Sequence, residues 1–155
     1  MINFDENGNI TPPEIIESSW EDFVDAFANS LENRRRRKRL LANYVLYLDT
    51  LKRHFENPFY QWVNGSFVTQ KLLPMDIDMV TFLPYDLIVK KAIFVEQIRK
   101  SSKQLYKIDG FFCPTANWNH RFFDSTVRES ERWKTLFSTS REGLPKGIIK
   151  LNFTP

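Results

Sequence analysis

The chain has 155 residues, of which 42% are hydrophobic, 26% charged and 15% aromatic. That length suits one domain, and that apolar fraction is enough for a packed core, which excludes general disorder. The formal charge is only +3, five Gly and eight Pro exclude fibrous and low-complexity architectures, and no apolar run is long enough to span a membrane. Cys113 is the single cysteine, so no internal disulfide can form. Together with His54 and His120 it cannot build a Cys/His zinc cage. Met1 to Glu6 has neither the basic start nor the apolar core of a signal peptide, so the cytoplasm is the expected compartment.

The elements follow in chain order. Residues 1–10 read as an irregular arm with a turn at Asn7-Gly8. Thr11-Pro12-Pro13-Glu14 fits a helix start, and Ser19 before Trp20-Glu21-Asp22 is the better N-cap. Trp20, Phe23, Phe27 and Leu31 recur at helical spacing. A long second helix is expected over about 34–56, carrying Leu40, Leu41, Tyr44, Val45, Leu48, Leu51 and Phe55, and Asn57-Pro58 stops it. Phe59 to Val63 reads as a strand, Asn64-Gly65-Ser66 as a turn, and 67–73 as a short helix ended by Pro74. Asp76 to Phe82 reads as a second strand, 85–100 as a helix and Leu105 to Cys113 as a third strand. Residues 118–137 read as one helix or two, with Trp118, Phe122, Phe123 and Trp133 mostly in the core. Gly147 to Phe153 is a last strand.

The net charge hides a division. Residues 1–33 hold eight acids and no Lys or Arg, so the remaining 122 residues hold all 22 basic residues against 11 acids. The sharpest feature is Arg34-Arg35-Arg36-Arg37-Lys38-Arg39, six cations that surround the helix instead of forming one stripe. Two readings stand: contact with a phosphate backbone, or a solvated turn that partly neutralises the acidic leader.

The chemistry concentrates in Gly65-Ser66, nine residues, then Asp76-Ile77-Asp78. Alternate residues of a strand share a face, so Asp76 and Asp78 project together, their backbones roughly 6.5 to 7 Å apart. Two such carboxylates repel unless a cation lies between them, and oxygen ligands suit a hard ion such as Mg²⁺. The bland alternative is a strand start with two solvated acids. Gly65-Ser66 can offer backbone N–H groups and a hydroxyl to a phosphate. Asp109, in the next expected strand, can complete a three-carboxylate cluster if the two strands are neighbours. Lys71 is a phosphate partner or a surface lysine, and Arg121, Arg128 and Arg141 are candidates for a triphosphate clamp. His54 and His120 read as helix-face residues, and Cys113 as a buried thiol with no nearby base.

Gly-Ser, a spacer of nine, Asp-x-Asp and a later single Asp on a strand resemble the nucleotidyltransferase superfamily of polymerase-beta type. The run Trp62 to Asp78 and the segment Pro145-Lys146-Gly147-Ile148-Ile149 are similar to a small, poorly characterised prokaryotic branch of it. The resemblance implies an α+β fold: a small mixed β-sheet packed by helices, mostly on one face, behind an N-terminal helical segment. One domain over 1–155 is expected, with residues 1–57 as the helical part and 58–155 as the catalytic-type core. The resemblance assigns Asp76, Asp78 and Asp109 to catalysis and to Mg²⁺ or Mn²⁺, and Gly65, Ser66 and Lys71 to the nucleotide. The expected function is metal-dependent transfer of a nucleotidyl group from a nucleoside triphosphate to a hydroxyl of a nucleic acid or a protein, in a toxin–antitoxin or phage-defence setting with a cognate partner protein. The alternative is an inactive binding module on the same fold. No membrane association is expected.

Overall fold

The computed structural model describes residues 1–155. The fold is α+β, with five α-helices, a five-stranded mixed sheet and a separate two-stranded hairpin. The hairpin pairs β1 (Asn3–Phe4) with β2 (Ile10–Thr11), and Gly8, at φ 78°, makes its turn. The next segment corrects the expected helix start at Thr11–Glu14. Ile15–Glu17 is a strand, β3, paired in parallel with β7 (Ile148–Phe153). The segment before residue 57 is therefore not purely helical.

α1 (Trp20–Val24) begins at Ser19, whose Oγ accepts the Asp22 N–H at 3.0 Å, as the sequence indicated. It widens into a π-helical turn over Asp25–Asn29. α2 (Arg34–His54) is the expected long helix, and its backbone ladder ends just ahead of Pro58. β4 (Phe59–Asn64) follows, then a single 3₁₀ turn over Ser66–Val68 where a helix over 67–73 was expected. β5 (Ile77–Pro84) leads directly into α3 (Tyr85–Lys90) and α4 (Ala92–Tyr106). β6 (Ile108–Thr115) starts later than expected, because α4 runs on to Tyr106. α5 (Phe123–Phe137) precedes β7, and Trp118, ahead of it, is 82% exposed, not in the core.

The sheet order is β3-β7-β4-β5-β6. β4 runs antiparallel to both β5 and β7, while β5 and β6 are parallel. One face carries Val63, Ile77, Met79, Ile108 and Ile149 against Leu40, Tyr44, Tyr47 and Leu51 of α2. Burial of each such side chain contributes about 1.5–3 kcal/mol. Gln61, fully buried at the centre of this face, is satisfied by the Tyr44 hydroxyl at 2.5 Å and by Thr81 at 2.9 Å. The opposite face is smaller: Trp62, Val80, Phe82 and Cys113 pack under Phe137 and Trp133 of α5. No helix is long and apolar enough to cross a membrane.

Candidate functional site

The topology gathers strand ends on the face covered by α5. β4 finishes where β5 and β6 begin, because it runs against β5 and β5 runs with β6. Asn64 lies opposite Asp78, and Asp78 opposite Asp109, so three polar side chains form one row across three strands. Asp109 is therefore on the strand beside Asp78, the neighbour relation that a three-acid cluster requires. Asp76 sits one residue before β5, on the same side as Asp78. Further along these strands on the same face, Val80, Phe82 and Cys113 are buried, so only the strand starts open into the cleft beyond.

That cleft has a volume of about 1000 Å³. Gly65, Ser66, Lys71, Asp76, Asp78 and Asp109 all line it. The outer acids are met by cations of α4: Lys103 Nζ stands 3.6 Å from Asp76, and Arg99 stands 3.4 Å from Asp109 while covering the Phe111 ring. Asp78 has no such partner, and burial with the charges of Asp76 and Asp109 pushes its carboxyl up to about 6. The three acids thus share one field. They are not drawn into a closed ligand set, since no group of three His, Cys, Asp or Glu side chains is disposed to hold an ion.

Gly65 is fixed by this carboxylate. Its φ of 78° and ψ of −171° belong to a region that side chains avoid. A Cβ there would stand 2.1 Å from Asp78 Oδ2. The Gly65–Ser66 bend and Asp78 are therefore in direct apposition, which explains the glycine without reference to any ligand.

The loop after Ser66 is held from below by Arg37. This guanidinium is fully buried and donates to the carbonyls of Phe27, Phe67, Thr69 and Lys71 at 3.0, 2.7, 2.8 and 2.6 Å. Arg36 donates to Pro74 O at 2.5 Å. Neither reading of the six-cation run therefore covers it. Arg36 and Arg37 build the loop that leads to Asp76, while Arg34, Arg35, Lys38 and Arg39 are exposed. None of the six forms an ion pair with the acidic leader, whose Glu17 pairs with Lys150 at 3.6 Å. Over 67–73, where a helix was expected, Arg37 instead holds a loop, taking the Phe67 and Thr69 carbonyls that a helix would have used.

Other candidates separate. Arg141 lines the cleft; Arg121 covers the Phe122 ring, and Arg128 does not reach the cleft. His54 stacks on Phe94 at 3.6 Å, and His120 meets Asp86 at 3.3 Å, so both histidines lie outside the site. Burial pushes the Cys113 thiol up to about 12, which makes it a poor nucleophile. Two cleft features were not assigned to the site by the sequence. The β1–β2 hairpin forms a wall through Glu6 to Asn9, docked by Gln70 N–H donating to Gly8 O at 2.9 Å. Lys146, just before β7, lines the cleft although only 8% exposed. Pro145-Lys146 entered the sequence reading only through the resemblance, with no role given to Lys146, and the pairing of β7 with β4 brings it to the cleft that Asn64 also lines.

Residues 2–152 match the model of a family described only as a family of unknown function, DUF6932, and the chain belongs to that family. Neither the curated proteins nor the solved structures contain a match.

Proposed function

We infer that the protein is a nucleotidyl-transfer enzyme whose site is the cleft at the starts of β5 and β6. The observation that carries this reading is the row Asn64-Asp78-Asp109, with Asp76 beside it, directly against the Gly65–Ser66 bend. Three sequence signals, Gly65-Ser66, Asp76-x-Asp78 and Asp109, converge on one opening. That convergence is what metal-assisted phosphoryl chemistry needs. It also agrees with the resemblance to the polymerase-beta type of nucleotidyltransferase.

The donor set fits a hard divalent ion in kind: three carboxylates, one of them left without a counter-charge. Asp76, Asp78 and Asp109 would hold Mg²⁺ or Mn²⁺, displacing Lys103 and Arg99 as the local counter-charges. The ion supplies neutralisation of phosphate charge. The chain supplies position. The Gly65–Ser66 bend and Lys71 abut the phosphates of a nucleoside triphosphate. Asp109 takes the proton of an acceptor hydroxyl as its oxygen bonds to the α-phosphorus, and the α–β bridging bond breaks to release pyrophosphate. The acceptor is a hydroxyl of a nucleic acid or of a protein.

The test is transfer of label from α-labelled nucleoside triphosphates, with Mg²⁺ or Mn²⁺, to RNA or to protein. Wild type is expected to transfer, and Asp78→Asn to lose about 100-fold or more. Equal labelling by both proteins contradicts the reading.

A second reading is a binding module for nucleic acid, and the exposed Arg34, Arg35, Lys38 and Arg39 favour it. Neutralising these four must then weaken RNA binding and flatten its salt dependence, while Asp78→Asn leaves binding unchanged.

A further inference from the structure

We propose that Lys146 anchors the polyphosphate tail of the substrate and so gives the cleft a fixed direction, with phosphates on the β4/β7 side and the acceptor hydroxyl on the Asp109 side. This rests on the reading of the cleft as a site of nucleotidyl transfer. Lys146 is buried to more than nine-tenths, at 8% exposure, yet it lines the cleft. Lysines so buried are ordinarily paired. This one forms no ion pair: every Lys or Arg to carboxylate contact in the protein involves another cation.

Its backbone is fixed on both sides. Lys146 N–H donates to Ser138 O at 2.9 Å, and the next amide, Gly147, donates to Ile10 O at 2.9 Å. Gly147 lies so close to the hairpin that a Cβ would stand 2.6 Å from an Ile10 methyl and 2.8 Å from Pro12 O. The backbone that carries the side chain is therefore preset, and burial of the side chain limits the freedom it has left to lose on binding. The charged groups around it are Asp78, Glu142 and Arg141. Burial disfavours its charged form, and Asp78 and Glu142 oppose that effect without contacting it.

Strand order supplies the direction. From β7 to β6 the cleft floor reads Lys146, Asn64-Gly65, Asp78 and Asp109. At the Lys146 end two cations, Lys146 and Arg141, face one acid, Glu142, whereas at the other end Arg99 balances Asp109. A chain of phosphates carries several negative charges and two or more acceptor oxygens per phosphorus, so it is drawn to the first end, where cations are in excess, and not to the balanced second.

The probe is inorganic tripolyphosphate without divalent ions, with ATP plus Mg²⁺ as a second arm, both followed by calorimetry. Wild type is expected to bind both. Lys146→Met, which keeps the apolar stem, is expected to weaken tripolyphosphate by about ten-fold or more. Lys150→Met, on β7 but outside the cleft, is expected to change nothing. Binding by wild type with equal affinity in Lys146→Met overturns the anchor and leaves the transferase reading standing. Failure of wild type to bind either probe overturns both. Should Lys146→Met not fold, reductive methylation of wild type decides. Tripolyphosphate must slow modification of Lys146 and not of Lys150, and equal rates with and without it overturn the proposal.

Discussion

Asp78 carries an electrostatic cost that can be read directly. Its carboxyl ordinarily ionises near 3.8, and in the folded protein near about 6. The folded state therefore holds the proton longer, so stability falls as pH rises across that window and stays reduced above it. Asp78→Asn, neutral throughout, is expected to exceed wild type by about 1–3 kcal/mol at pH 7 without divalent ions, with the gap closing near pH 4. Thermal denaturation against pH checks this, and a constant gap would contradict it. Gly65 is a second residue-scale case. Gly65→Ala must move Asp78 or distort the bend, and it is expected to cost about 1–3 kcal/mol in urea unfolding. Both positions could be singled out in the sequence, because Gly-Ser and Asp-x-Asp are local patterns, and they meet in one cleft. The role of Gly110 was not legible there. Gly110 lies within the strand β6, and it is a glycine there because a Cβ would stand 2.5 Å from the Tyr47 hydroxyl. That contact joins residues 63 positions apart, and no local pattern encodes it.

At the scale of elements, the long periodic helix was readable and its first turn was not. α2 follows its apolar spacing from Leu40 to Leu51. The six cations look equivalent in sequence, yet one is fully buried and four are exposed. Arg37→Leu is expected to destabilise by about 3–5 kcal/mol, since four carbonyls lose their donor. Arg37→Lys is expected to recover little of this, because an ammonium cannot reproduce the planar fork. Arg35→Ala is expected to lie within about 0.5 kcal/mol of wild type. Thermal unfolding of the three variants measures the series. β3 escaped reading for a related reason. Its three residues are too few for a period, Thr11-Pro12-Pro13-Glu14 mimics a helix start, and the strand exists because Ile15 and Ile16 pair with Ile148 and Ile149.

At the scale of the molecule, the site is a product of strand direction. A turn at the end of one strand and acids at the starts of two others become neighbours only because β4 opposes β5 and β5 runs with β6. α5 caps the far part of that face and leaves the strand starts open, while the hairpin and Lys146 close the β7 side. The expected α+β class and central strands were within reach of the sequence, whereas the hairpin wall and the buried lysine depend on contacts across the whole chain. The cations Arg99 and Lys103 hold the outer acids but not Asp78, so added Mg²⁺ or Mn²⁺ is expected to stabilise wild type and to leave Asp78→Asn nearly unchanged. The most direct measurement is a crystal structure with Mg²⁺ and a non-hydrolysable nucleoside triphosphate. The expected result is an ion on Asp76, Asp78 and Asp109, with phosphates between the Gly65–Ser66 bend and Lys146. Arg99 and Lys103 still seated on their acids, with the nucleotide bound elsewhere or absent at saturating concentration, would contradict the account.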